Sequence, residues 1–139
     1  MKLSRRETLL LGAGAAVAAV LPLPTYADAV ADAVAAFTGG ADVADGGVTM
    51  DAPEIAENGN TVPISVSSDG AESIMVLATG NPTPAVATFT FGELAASQSG
   101  SIRIRLAQTQ DVMAIAKMPD GTFQKASATV KVTIGGCGG

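Results

Sequence analysis

Seven short β-rich runs, separated at regular intervals by turn signals, fill the chain from Val48 to Ile134. They read VTMDAP, VPISVSS, ESIMVLATG, AVATFTF, SIRIRLAQ, DVMAIAK and FQKASATVKVTI, with NGN, DG, NPTP, QSG and PDG among the breaks. Runs of this length and spacing fit an all-β sandwich. In IRIRL, Ile102, Ile104 and Leu106 fall on one face and Arg103 and Arg105 on the other, the signature of a half-buried strand. Val130, Val132 and Ile134 repeat that alternation at the end of the last strand. Four Phe and no Trp imply a core of Val, Ile, Leu and Ala.

Ahead of the strands, DAVADAVAAF sets Val30, Ala33, Val34 and Phe37 at helical spacing, with Asp28 as candidate N-cap and Gly39 and Gly40 as the stop. This short helix is expected to cover an end of the sheet core or to dock on a partner. The acidic and glycine-rich stretch around Asp42 and Asp45 lacks the spacing of a calcium loop and reads as a solvated linker.

The N-terminus has a basic start, an apolar run from Leu9 to Leu21 and small residues at Ala27 and Ala29, as in an export signal. The run is Ala/Gly-rich and ends at Pro22 and Pro24, short of the roughly 20 apolar residues of a membrane span, so no anchor is expected in the processed protein. Ser4, Arg5, Arg6, Leu9 and Leu10 resemble the twin-arginine motif, with Thr8 where that motif usually has Phe; an ordinary secretory signal is the alternative. The expected division is an export signal over 1–27, cut within 27–29, a helix and linker over 28–47, a β-sandwich over 48–134 and an arm over 135–139. The expected location is the periplasm.

A cut after Ala27 removes Lys2, Arg5, Arg6 and Glu7, which leaves five basic groups against twelve acidic ones, a net charge of −7. The remaining cations, Arg103, Arg105, Lys117, Lys125 and Lys131, are dispersed over separate strands, which argues against nucleic acid as a partner. Arg103 and Arg105 suit either an anion contact or an ordinary exposed strand face. About 110 processed residues make one domain with one core. A single Cys in an oxidising compartment rules out an internal disulfide, so the fold rests on burial.

That Cys is Cys137, set in GGCGG between Gly135 and Gly136 on one side and Gly138 and Gly139 on the other. Flanking glycines give it nothing to pack against, so the thiol is presented rather than stored. It grows from the last strand, and the three residues from Ile134 to Cys137 reach at most about 10 Å. An unreactive tail thiol and an intermolecular disulfide are the plain alternatives. One Cys and no His cannot build a closed zinc site, and two residues after the Cys are too few for prenylation. Neither metal nor cofactor is expected. Without His the chain has no Cys–His pair to activate its own thiol, and a chain-end carboxylate two residues away raises rather than lowers the thiol pKa from roughly 8.5.

The strings VPISV, NPTPAVATF, IRIRLAQTQDVMAIAK, DG and VKVTIGGCGG, in this order, resemble the SoxY family of the thiosulfate-oxidising Sox system. The resemblance spans the domain that follows the signal. It implies an immunoglobulin-like antiparallel sandwich, paired with a second β-sandwich subunit, SoxZ, that crosses the membrane with it. It implies a covalent carrier and no enzyme: Cys137 takes thiosulfate through the SoxAX cytochrome as an S-thiosulfonate, and SoxB hydrolyses the sulfone to leave a persulfide. Where SoxCD is present, it oxidises the persulfide further. On this view Gly135, Gly136, Gly138 and Gly139 form a swinging arm slim enough for a narrow channel. Two other readings remain: a thiocarboxylate sulfur carrier of β-grasp type ending in Gly138-Gly139, and an exported structural sandwich with a disulfide-forming tail.

Overall fold

The computed structural model describes residues 22–135. Among the described residues one helix, α1 (Tyr26–Thr38), precedes nine strands: β1 (Val43–Asp45), β2 (Thr49–Asp51), β3 (Ile55–Ala56), β4 (Val62–Ser67), β5 (Ser73–Ala78), β6 (Ala85–Thr90), β7 (Ser99–Ile104), β8 (Gln110–Lys117) and β9 (Phe123–Val132). The larger sheet runs β1-β9-β8-β5-β6 with β3 also on β9, and the smaller runs β2-β4-β7. The seven runs expected as strands are all strands. Their ladders are antiparallel, with Ile64 opposite Ile102 and Val62 opposite Ile104 in the smaller sheet.

Alternation places the core. Val62, Ile64, Val66 and Ile104 from the smaller sheet meet Ile74, Val76, Val112, Ala114 and Val130 from the larger, joined by Leu106. The side chains are aliphatic and nearly all fully buried, as the aromatic-poor composition requires. Arg103 on β7 and Arg105 just past its end are both exposed, as expected.

β5 departs from alternation, since all six of its residues are buried. Its second face has its own cover. Met75 and Leu77 form a cluster with Ile115 and Phe123, and Ala33, Val34 and Phe37 of α1 pack on it. The rings of Phe37 and Phe123 meet edge to face with centroids 5.9 Å apart. The helix therefore lies on the outer face of the larger sheet, not over an end of the core. A central strand without a polar face needs such a cover.

The helix also starts earlier than its apolar spacing indicates. Thr25, not Asp28, is the N-cap, and Asp28 stands three residues on in a capping box: its carboxylate accepts from the Thr25 backbone N–H at 2.8 Å, and its own N–H donates to the Thr25 hydroxyl. The Thr25 hydroxyl also donates to that carboxylate, at 2.9 Å, and the Thr25 backbone N–H and hydroxyl together hold the Asp28 carboxyl below its ordinary range. Gly39, in the left-handed region at φ 66°, ends the helix as expected.

Two elements lie where the sequence suggested linker or loop. Val43–Asp45 pairs in parallel with Phe123–Lys125, and Ile55–Ala56 with Lys131–Val132. Both add to the outer edge of β9, whose other edge is taken by β8 along 123–130. Such short strands carry no pattern of their own; the exposed backbone of β9 supplies their hydrogen-bond partners. Among the described residues, no helix is long and apolar enough to cross a membrane.

Candidate functional site

The end of β9 delivers the chain toward the cysteine, and it is held firmly up to its last described residues. The strand ladder stops at Val132, but the bonding continues. Lys131 N–H donates to Glu54 O at 2.9 Å, Thr133 N–H to Ala56 O at 3.1 Å, and Gly59 N–H to Ile134 O at 2.7 Å. The Thr133 hydroxyl donates to Glu57 O at 3.1 Å. On the other side, Val132 N–H donates to the Thr109 hydroxyl at 2.9 Å. The segment 54–59 thus straps the strand end to the domain.

The alternation expected of Val130, Val132 and Ile134 fails at its last member. Val130 is fully buried, whereas Ile134 is 68% exposed. Beyond β8 there is no facing ladder to bury it, and the strap grips its backbone only.

Gly135 then runs against a second loop. A Cβ at this position would overlap the carbonyl oxygen of Ala107. That carbonyl belongs to a turn fixed from within by two buried amides, Asn81 and Gln110, which are 2% and 7% exposed. Asn81 Nδ2 donates to Arg105 O at 2.7 Å, while its Oδ1 accepts from Ala107 N–H at 3.0 Å and Gln110 Nε2 at 2.9 Å. Gln110 Nε2 also donates to Gln108 O, and its Oε1 accepts from Gly80 N–H at 2.8 Å. Among the described residues no buried side-chain N or O lacks a partner. A buried network satisfied in this way is stiff.

Asn81→Ala is expected to cost about 2–4 kcal/mol, because it strands the Arg105 carbonyl, the Ala107 N–H and part of Gln110 away from water. Urea denaturation measures the loss. Protection of the Ala107 amide from hydrogen exchange should fall with it, and an unchanged midpoint would refute the assignment.

Of the residues expected to act, the structure describes Gly135, exposed and at the root of the arm. Gly136, Cys137, Gly138 and Gly139, with Arg5 and Arg6 of the export signal, lie outside the described residues. Asn81, Gln110, Thr109 and the 54–59 strap escaped sequence reading. Asn81 opens NPTP, where an Asn is explained by the turn alone, and nothing in the sequence marks its side chain as buried. Among the described residues, no group of three or more His, Cys, Asp or Glu is placed to hold a metal ion.

The two sheets with a helix on one outer face also match known proteins. The chain is similar to the sulfur carrier protein SoxY from Chlorobium limicola f thiosulfatophilum at 33% identity and a TM-score of 0.68, over 78% of this chain and 99% of that one. A superoxide reductase (neelaredoxin) from Ignicoccus hospitalis shares the fold at 16% identity and a TM-score of 0.55, over 63% of this chain and 80% of that one. A comparison with curated proteins found no match. The two-sheet architecture sets aside the β-grasp reading. The family model described as sulfur oxidation protein SoxY matches residues 34–137, from the middle of α1 through the strapped end of β9 to the cysteine itself. On that span, the chain belongs to the SoxY family of sulfur oxidation proteins.

Proposed function

We propose that this chain is a periplasmic carrier that holds thiosulfate-derived intermediates on Cys137 and presents them to the enzymes of a Sox system. One observation carries the proposal: the family match runs through residue 137, three positions beyond the last strapped residue, Ile134. The domain ends as a fixed mount, and the thiol follows it by at most about 10 Å of chain.

In this role the Cys137 thiolate and thiosulfate are joined through a new S–S bond, and two electrons leave to the SoxAX cytochrome. Water then attacks the terminal sulfone in SoxB. Sulfate and two protons depart, and a persulfide stays on Cys137. SoxCD, where present, oxidises that persulfide. A thiol with no cationic neighbour in sequence and no His in the chain takes its activation from the partner enzymes. Intact mass of the protein incubated with SoxAX and thiosulfate tests the role: a gain equal to one thiosulfate, removed by a reducing thiol, is expected, and a mixed disulfide as the sole product would refute it.

A SoxZ-like β-sandwich subunit is the proposed permanent partner, and the two should copurify when expressed together. The processed chain expressed alone should be poorly soluble; a stable monomer indifferent to the partner would count against the pairing. Export by the twin-arginine route is proposed from Arg5 and Arg6. Replacing both by Lys should leave the precursor in the cytoplasm, measured by fractionation, whereas cleaved periplasmic protein at normal levels would assign it to the general secretory route.

A further inference from the structure

Three segments of the domain meet at Gly59. Its N–H donates to Ile134 O at 2.7 Å, beyond the end of β9, and its carbonyl accepts from Leu106 N–H at 2.8 Å, just past β7. Gly59 is buried, while Asn58 before it is exposed. Asn58 Oδ1 accepts from Asn60 N–H at 3.0 Å, and the Asn58 carbonyl accepts from Thr61 N–H at 3.4 Å. The four residues form a tight turn with the Asn58 carboxamide folded over it.

An asparagine followed by glycine is the pair best suited to closing a succinimide ring, because glycine has no side chain to hinder attack by its backbone nitrogen. Of the three asparagines in the chain, Asn58 alone has this follower. Asn60 precedes the β-branched Thr61, and Asn81 precedes Pro82, which has no N–H to give up. Asp45, Asp69 and Asp120 also precede glycines, but a carboxylate ionised at neutral pH is a far poorer electrophile than an amide. The reaction needs only water. The Gly59 nitrogen bonds to Asn58 Cγ, the Cγ–Nδ2 bond breaks, and ammonia leaves with the former Gly59 proton. Water then opens the ring at either carbonyl, giving aspartate, or isoaspartate where the main chain is left running through Cγ.

The nitrogen that must attack is the one that holds Ile134. While its N–H is bonded to Ile134 O, it is free neither to lose that proton nor to swing toward Cγ. We propose that Asn58–Gly59 is a deamidation site kept silent by the strap on the end of β9, and that it reacts when the strap opens. In the isoaspartate product the change is one-way. Isoaspartate adds one carbon–carbon bond, about 1.5 Å, to the main chain ahead of Gly59. A hydrogen bond tolerates only a few tenths of an ångström, so Gly59 cannot meet both Ile134 and Leu106 again. A transient opening of the mount thereby becomes a permanent one, whatever Cys137 carries.

The test is peptide mapping by mass spectrometry, with isoaspartyl methyltransferase labelling to identify isoaspartate. It uses the full processed chain with its copurifying subunit, kept warm in mildly alkaline buffer. In the urea-unfolded chain Asn58 should convert well before Asn60 or Asn81. In the folded protein its conversion should be at least about 10-fold slower, as for a reaction that waits on local opening. Thr133→Val removes the hydroxyl that donates to Glu57 O at 3.1 Å and keeps the β-branched shape. It should raise the folded-state rate about 3- to 10-fold, the contribution of one hydrogen bond. Exchange of the Gly59 amide should quicken by the same factor, while that of Val76, in the core, does not. The isolated isoaspartate form should have lost protection at the Gly59 and Leu106 amides. Equal rates in folded and unfolded chains would overturn the inference, as would a Thr133→Val rate no faster than the parent's. An isoaspartate form with both amides still protected would overturn the one-way opening.

Discussion

Cys137→Ser protein should fold, keep its partner subunit and lose thiosulfate-dependent oxygen uptake in a reconstituted system, down to the level of an assay with no carrier. The fold has no stake in the thiol. Its core is the aliphatic cluster between the sheets and the second cluster beneath α1, both made by residues between 33 and 132. Thermal unfolding should therefore be unchanged. Chemistry has every stake in it. A hydroxyl is not oxidised to a sulfur conjugate and is scarcely ionised near neutral pH, whereas a thiol of pKa roughly 8.5 supplies a few per cent thiolate. Turnover retained by Cys137→Ser protein would sink the carrier role, since no other cysteine exists to take the load.

The strands were legible because their physics is local. Ile102, Ile104 and Leu106 against Arg103 and Arg105 announce their faces without reference to any neighbour, and the structure buries Ile104 and Leu106, half-buries Ile102 and exposes both arginines. β5 was legible as a strand, but its unbroken apolar run says only that both faces are covered. That α1 supplies the second cover depends on Phe37 meeting Phe123, eighty-six positions away. β1 and β3 are legible only from β9, whose backbone edge recruits them. The cysteine stood out because GGCGG has no packing use. Its mount did not, because the strap 54–59, the Thr109 hydroxyl and the Asn81–Gln110 pair meet β9 only through tertiary hydrogen bonds. The cysteine is thus readable as chemistry from the sequence, and its mount is readable as geometry only from the fold.

Gly135 is where those two readings meet, and Gly135→Ala should separate a slim arm from an aimed one. Its φ lies outside the left-handed region, so an Ala there meets no backbone penalty. The obstacle is the Ala107 carbonyl, which the new Cβ would overlap. That carbonyl cannot retreat easily. Its residue's own N–H is held by Asn81, and Asn81 by Gln110. The arm root must yield instead, at the expense of the 2.7 Å bond from Gly59 N–H to Ile134 O. A displacement of about 1 Å at the root is carried to Cys137, and misplacement of that size costs up to about 100-fold in rate at an enzyme site. Turnover with the Sox enzymes should fall about 10- to 100-fold, while alkylation of Cys137 by iodoacetamide keeps its rate, because a small reagent needs no aimed arm. Loosening the abutment should blunt the effect: in the Asn81→Ala background, Gly135→Ala should cost less than the two changes taken separately predict. Normal turnover in Gly135→Ala protein, with the Gly59 amide still protected from exchange, would show that the arm tolerates a side chain at its root and that Ala107 does not aim it.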